Sequence, residues 1–197
     1  MSENKNVPEL RFPEFDGEWG IIQLGDAGKV SMCKRVMKDE TSPSGDIPFF
    51  KIGTFGKEPD AFISKTTFED YKSRFSYPKK GDILISAAGT IGRTVVFDGK
   101  PAYFQDSNIV WIDNTEELLI NPFLAYSYQR IKWTTEDTTI ARLYNDTLRR
   151  IRFSIPGIGE QQKIADFLSA VDKKIEQLTE KHRLLTEYKK GVMQQIF

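Results

Sequence analysis

Along the last fifth of the chain, apolar residues recur at alternating steps of four and three: Ile164, Leu168, Val171, Ile175, Leu178, then Leu185, Val192 and Ile196. The polar residues His182 and Lys189 occupy the missing beats. A 3.5-residue repeat sustained over so many turns predicts a coiled coil, in which polar seam residues fix register and partner at a cost in stability. No Gly or Pro interrupts the pattern between Glu160 and Lys190. Such a helix runs roughly 50 Å at about 1.5 Å per residue, longer than a domain of this size is wide. It is therefore expected to project, with its stripe covered by something outside the preceding domain.

Upstream the period changes. Residues 1–20 mix Pro8, Pro13, Gly17 and Gly20 with Leu10, Phe12, Phe15 and Trp19, which predicts an extended arm packed on the domain. Ile21–Leu24 reads as a short strand. The segment from Cys33 to Gly45 is polar and without period, and is expected to be one long loop. Ile47–Ile52 reads as a strand, and Phe62–Phe75 as a helix with a ragged face. The plainest β signal is Ile83-Leu84-Ile85-Ser86, the glycine-bounded turn Gly89-Thr90-Ile91-Gly92, then Thr94-Val95-Val96-Phe97. Ile109–Ile112 makes a further strand. Pro122 opens a helix through Ile131 with Asn121 as its cap, Ile140–Arg152 is a short helix, and Phe153–Ile155 a last strand. The breaker cluster Pro156-Gly157-Ile158-Gly159 is a natural joint. The expected class is α+β, a strand-rich mixed domain over residues 1–157 followed by a helical segment over 158–197 that forms an antiparallel coiled coil.

Composition narrows the classes. The 197 residues are 39% hydrophobic, enough for a core, and 28 basic residues balance 28 acidic ones. Neutrality argues against an autonomous, strongly basic nucleic-acid binder, though not against clustered basic loops. The lone Cys33 cannot form an internal disulfide, which fits a reducing cytoplasm. No apolar run approaches the ~20 residues of a membrane span.

Catalytic chemistry has little to build on. The single histidine, His182, falls on the helical seam, so zinc ligation and histidine-based triads lack their parts. Asp60 with Asp70-Tyr71-Lys72 superficially matches a metal-dependent nuclease, but the second acid falls in a helical, exposed stretch rather than on an adjacent strand. Asn121-Pro122-Phe123 is close to a base-flipping methyltransferase motif, yet it lacks a second proline and any upstream glycine-rich cofactor loop. No phosphate-binding loop is present. The expectation is a non-catalytic protein with no cofactor and no metal.

Binding chemistry is better represented. Lys34, Arg35 and Lys38 lie in the long loop, Arg93 follows the glycine turn, and Arg142 lies near Arg149, Arg150 and Arg152. Arginines on loops suit phosphates and guanine edges, while Gln105, Asn108 and Asn145 suit adenine edges. Each alone reads first as solvated surface; together they allow double-stranded DNA as partner. The competing reading is a coiled-coil adaptor whose domain binds protein.

Three stretches resemble the specificity subunits of type I restriction-modification systems. They are Val7-Pro8-Glu9-Leu10-Arg11-Phe12-Pro13-Glu14-Phe15 through Trp19, Gly81–Ser86 with Gly89-Thr90-Ile91-Gly92-Arg93, and Ile155-Pro156 followed by Glu160-Gln161-Gln162-Lys163-Ile164-Ala165. The family usually reads Pro-Pro where this chain has Pro156-Gly157. The resemblance implies a subunit that selects the DNA sequence while separate methyltransferase subunits modify adenine and a restriction subunit cleaves. Family members alternate two recognition domains with two spacer helices, and this chain has one of each, ending at Gln194-Gln195-Ile196-Phe197. The expectation is a homodimer through residues 160–197, with Ile164, Leu168, Val171, Ile175, Leu178, His182, Leu185 and Val192 at the seam, reading an inverted repeat.

Overall fold

The computed structural model describes residues 6–131, 133 and 142–197. The body is built on a four-stranded sheet in the order β2 (Gly28–Ser31), β9 (Ile109–Asn114), β6 (Ile83–Ser86), β7 (Thr94–Val96). All three pairings are antiparallel, with Val30 opposite Ile112, Ile85 opposite Val110 and Leu84 opposite Val95. The two central strands are apolar at nearly every position because both faces are covered. Ile83, Ile85, Val110 and Ile112 point into one core, Leu84, Ile109 and Trp111 into the other.

The first core is closed by the one-turn α1 (Leu24–Ala27), α3 (Asn121–Arg130) and α4 (Asn145–Arg150), with Phe123, Leu124, Tyr128 and Leu148 buried. The second lies under a smaller sheet, β3 (Thr41–Ser42), β5 (Phe62–Ile63), β4 (Ile47–Phe50), β8 (Tyr103–Phe104), and under α2 (Lys65–Arg74). Here β4 and β8 run parallel, and Phe49, Tyr103, Tyr77, Phe97 and Phe104 pack ring against ring. A third, two-stranded sheet pairs β1 (Gly20–Gln23) with β10 (Arg152–Ile155), placing the end of the N-terminal arm beside the joint.

Three expectations need correction. The loop from Cys33 to Gly45 contains a 3-10 turn, Lys38–Glu40, and the strand β3. Cys33 is buried and draws the segment onto the second core, so it is folded against the sheet rather than free. Asn121 is not the cap of α3 but its first residue, with Ile120 at the cap. Its side chain is buried, accepting from Asn114 Nδ2 at 2.9 Å and donating to Asp82 Oδ1 at 3.4 Å. A buried amide so placed must be paired, which outweighs the capping preference. The helix expected over Ile140–Arg152 starts at Asn145, and residues 140 and 141 lie outside the described ones.

The last helix, α5, spans Ile158–Ile196, 39 residues, about 58 Å at 1.5 Å per residue. Its first turn is fastened to the body by two buried polar side chains. Gln161, wholly buried, accepts from Ile120 N–H at 3.0 Å and donates to Leu118 O at 3.0 Å and Pro156 O at 2.9 Å. Glu160 accepts two hydrogen bonds from Arg11 of the arm. From Ser169 to Lys190 every residue is exposed. The helix projects, as its period requires.

Candidate nucleic-acid interface

Where loop 33–45, β4 and the turn after β8 meet, they enclose an open cleft of about 420 Å³. Arg35, Lys38, Gln105 and Asn108, widely separated in sequence, all line it. The basic side of the cleft is held by local hydrogen bonds. Glu40 accepts from Met37 N–H at 2.7 Å and from the Tyr71 hydroxyl at 2.5 Å, and the Thr41 hydroxyl donates to Lys38 O at 2.8 Å. The Tyr71 hydroxyl, then the Met37 amide, hold the Glu40 carboxyl below its ordinary range, so it stays ionised and closes the turn that presents Lys38. Lys38 is exposed, and so is Met37, 57% accessible at the rim.

The opposite wall is the turn Asp106-Ser107-Asn108. Ser107 takes the left-handed conformation, φ 54, and its carbonyl accepts from Arg142 Nη2 at 3.3 Å. Arg35 Nε donates to Asp106 Oδ2 at 2.9 Å, although its side chain is 65% exposed. The pair bridges the two walls while leaving most of the guanidinium in solvent. Gln105 uses its side-chain oxygen to accept from Ile52 N–H at 2.9 Å, so it braces the floor as well as lining it.

The remaining expected DNA contacts separate. Lys34 lies over the Phe75 ring, 5.3 Å from its centroid, next to the cleft in sequence but not among its lining. Arg93 Nη1 donates to Phe55 O at 2.8 Å, fastening the glycine turn to the second core. Asn145 is exposed at the start of α4, against α1 and β2, in the other half of the body. Composition missed Met37, Thr41 and Lys51, which line the same cleft. For Lys51, paired with Asp60 at 2.8 Å, the available signal was its position immediately after strand β4.

A second concavity, about 800 Å³, opens at the base of α5 between α3 and β10. Trp19, Phe123, Phe153, Ile164 and Leu168 give it an apolar lining, with Arg130 and Arg152 also present. Along the helix, Ile164 and Leu168 are half-buried, whereas Val171, Ile175, Leu178, His182 and Leu185 are exposed and Val192 is half-buried. The acids suspected of nuclease chemistry do not converge: Asp60 pairs with Lys51, and Asp70, on the exposed face of α2, pairs with Arg74 at 3.0 Å. No helix among the described residues is long and apolar enough to cross a membrane.

Known proteins share the sequence pattern and the fold of this chain. The family model described as the type I restriction modification DNA specificity domain matches residues 16–186. A Haemophilus influenzae protein named as a type I restriction enzyme specificity subunit is 57% identical over 81% of this chain and 42% of its own length. Another so named, from Methanocaldococcus jannaschii, is 22% identical over 99% of this chain and 49% of its own. The chain thus spans about half the length of these curated relatives. Among solved structures, a type I restriction-modification S subunit from M. genitalium superposes with a TM-score of 0.59 at 18% identity, over 89% of this chain and 44% of that one. The HsdS subunit of Thermoanaerobacter tengcongensis gives 0.57 at 17%, over 85% and 41%. These two show the shared fold.

Proposed function

The chain belongs to the family of type I restriction-modification DNA specificity domains, and we propose that it reads one half of a bipartite DNA site for a type I methyltransferase complex. Residues 1–157 act as the target recognition domain and residues 158–197 as the spacer helix. The observation that carries the reading is the cleft, where Arg35 and Lys38 face Gln105 and Asn108. Cationic side chains hold phosphates and fix orientation; amide side chains discriminate base edges. This division fits a protein whose overall charge is zero, because only one locus needs to be basic.

The subunit contributes sequence choice and no chemistry. Methyltransferase subunits supply adenine methylation, and through them a restriction subunit joins, in the cytoplasm. The exposed stripe of α5 pairs with the same stripe of a second copy, giving one recognition domain at each end of an antiparallel pair and a site that is an inverted repeat. The test is methylation mapping on DNA exposed to the chain together with its methyltransferase subunit. The expected pattern is a bipartite palindrome, lost when Arg35 and Lys38 are both replaced by Ala. Two unrelated half-sites overturn the homodimer, and methylation indifferent to sequence overturns the recognition role.

A further inference from the structure

Large apolar side chains left exposed on the body, such as Leu10, Ile21 and Val96, lie away from the basic cleft. Met37 is the exception among the described residues: it is 57% accessible and lines the cleft beside Arg35 and Lys38. We infer that Met37 reads the 5-methyl group of a thymine in the major groove and so sets one base pair of the recognised half-site. The inference rests on the DNA-reading role of the cleft and adds a residue with a single chemical specificity.

A methyl contact needs a side chain delivered from a fixed backbone, because dispersion attraction fades over a small gap. The backbone of Met37 is so fixed. Its N–H donates to Glu40 Oε2 at 2.7 Å, and its carbonyl accepts from Glu40 N–H at 3.1 Å. The Tyr71 hydroxyl donates to the other Glu40 oxygen, tying this turn to α2. Both backbone polar groups of Met37 are therefore engaged in the turn, and the thioether arm extends from a rigid base. An unbranched, polarizable arm then adapts its tip to the surface it meets.

The neighbours of that arm narrow what it can meet. Arg35 and Lys38 flank it in sequence and offer cations to phosphates, so DNA seated on them carries a groove edge past Met37. The opposite wall and the floor present the amides of Asn108 and Gln105, and Phe49 and Ala61 add apolar lining. In the major groove an A·T pair shows a donor and an acceptor on adenine and a methyl group on thymine. The cleft holds a counterpart to each, amide and apolar. A phosphate track alone has no use for the thioether, and the minor-groove edge of a base pair carries no methyl.

The test uses the chain assembled with its methyltransferase subunit, and duplexes carrying the half-site found by methylation mapping. Each thymine in turn is replaced by deoxyuridine, which deletes the 5-methyl group and keeps the pairing edge. At one position the wild type is expected to lose about fourfold in affinity, the worth of one buried methyl. Met37→Ala is expected to bind the thymine and deoxyuridine duplexes alike, and Met37→Leu to restore the preference. A half-site in which no thymine is sensitive, or a preference that survives in Met37→Ala, overturns this inference and leaves the recognition role intact. Binding indifferent to sequence overturns both.

Discussion

Arg11 and Glu160 meet across most of the chain: Arg11 Nε lies 2.8 Å from Glu160 Oε1, and Nη2 lies 2.7 Å from Oε2. The forked geometry satisfies both carboxylate oxygens, and Arg11 also donates to Gly17 O and Asp16 O within the arm. One cation thereby folds the arm on itself and clamps it to the first turn of α5. The Glu160 hydrogen bond is the main reason the Arg11 guanidinium is raised above its ordinary pKa. Replacing Arg11 by Ala is expected to lower the melting temperature and to open the arm to limited proteolysis between residues 6 and 19. A double-mutant cycle with Glu160→Ala should be strongly non-additive, since either change alone breaks the same pair and strands the other member.

Gln161 sets the direction of the helix rather than the stability of the arm. Its three hydrogen bonds reach a loop carbonyl, the N-cap residue of α3 and the joint itself. Gln161→Leu leaves the buried Ile120 N–H without its acceptor, and a loss on the order of 2–4 kcal/mol is expected in chemical denaturation. In the reconstituted complex the half-site sequence should persist while the tolerated gap between half-sites broadens. An unchanged gap shows that the angle is fixed elsewhere.

The fold was legible where periodicity was strong. Strands β6 and β9, α3 and α5 appear within a few residues of where their patterns place them. The short pieces were not, because β3 and β5 are two residues each and exist only by pairing with one another and with β4. No local pattern encodes that. Of the candidate site, the basic loop was legible through its charge, and its convergence with Gln105 and Asn108 was not, because the parallel β4–β8 pairing that joins them is a long-range contact. Arg93 misled for a related reason. A charged residue after a glycine turn reads as exposed, yet its guanidinium fastens the turn to Phe55 O.

Lys38 and Gln105 should therefore fail differently. Lys38 has no protein partner closing it off from phosphate among the described contacts, and Lys38→Ala is expected to weaken duplex binding similarly for all sequences, reducing the salt slope by about 1. Gln105→Ala removes the acceptor for Ile52 N–H. It should cost about 1 kcal/mol of stability as well as binding, because the floor of the cleft is then unbraced. Salt titrations of binding, set beside urea melts, separate the two.

The glycine turn after β6 is constrained by packing. Gly92 has φ 79, and a Cβ there would run into the indole ring of Trp133. Gly92→Ala combines a left-handed non-glycine residue with overpacking, so a loss of roughly 2 kcal/mol or more is expected. Gly53, where an added Cβ meets nothing, is the control: Gly53→Ala should leave the melting temperature within a degree or so.

Glu40 gives the cleft a dependence on acid. Its carboxyl is depressed by the Tyr71 hydroxyl and the Met37 amide, so its folded value lies below its unfolded one. A depressed acid contributes stability that is fully present above the unfolded value, about 4.3, and is lost as pH falls through the folded value. Glu40→Gln removes that contribution at neutral pH but has nothing further to lose in acid. The stability difference between wild type and Glu40→Gln should thus be constant from pH 8 to about 5.5 and shrink below about 4.3. Taking a difference cancels the other shifted carboxyls, including Asp82, which burial moves the opposite way. Denaturation curves of both proteins across that range provide the check. A gap that persists undiminished in acid assigns the hold on the Met37–Lys38 turn to something other than the Glu40 charge.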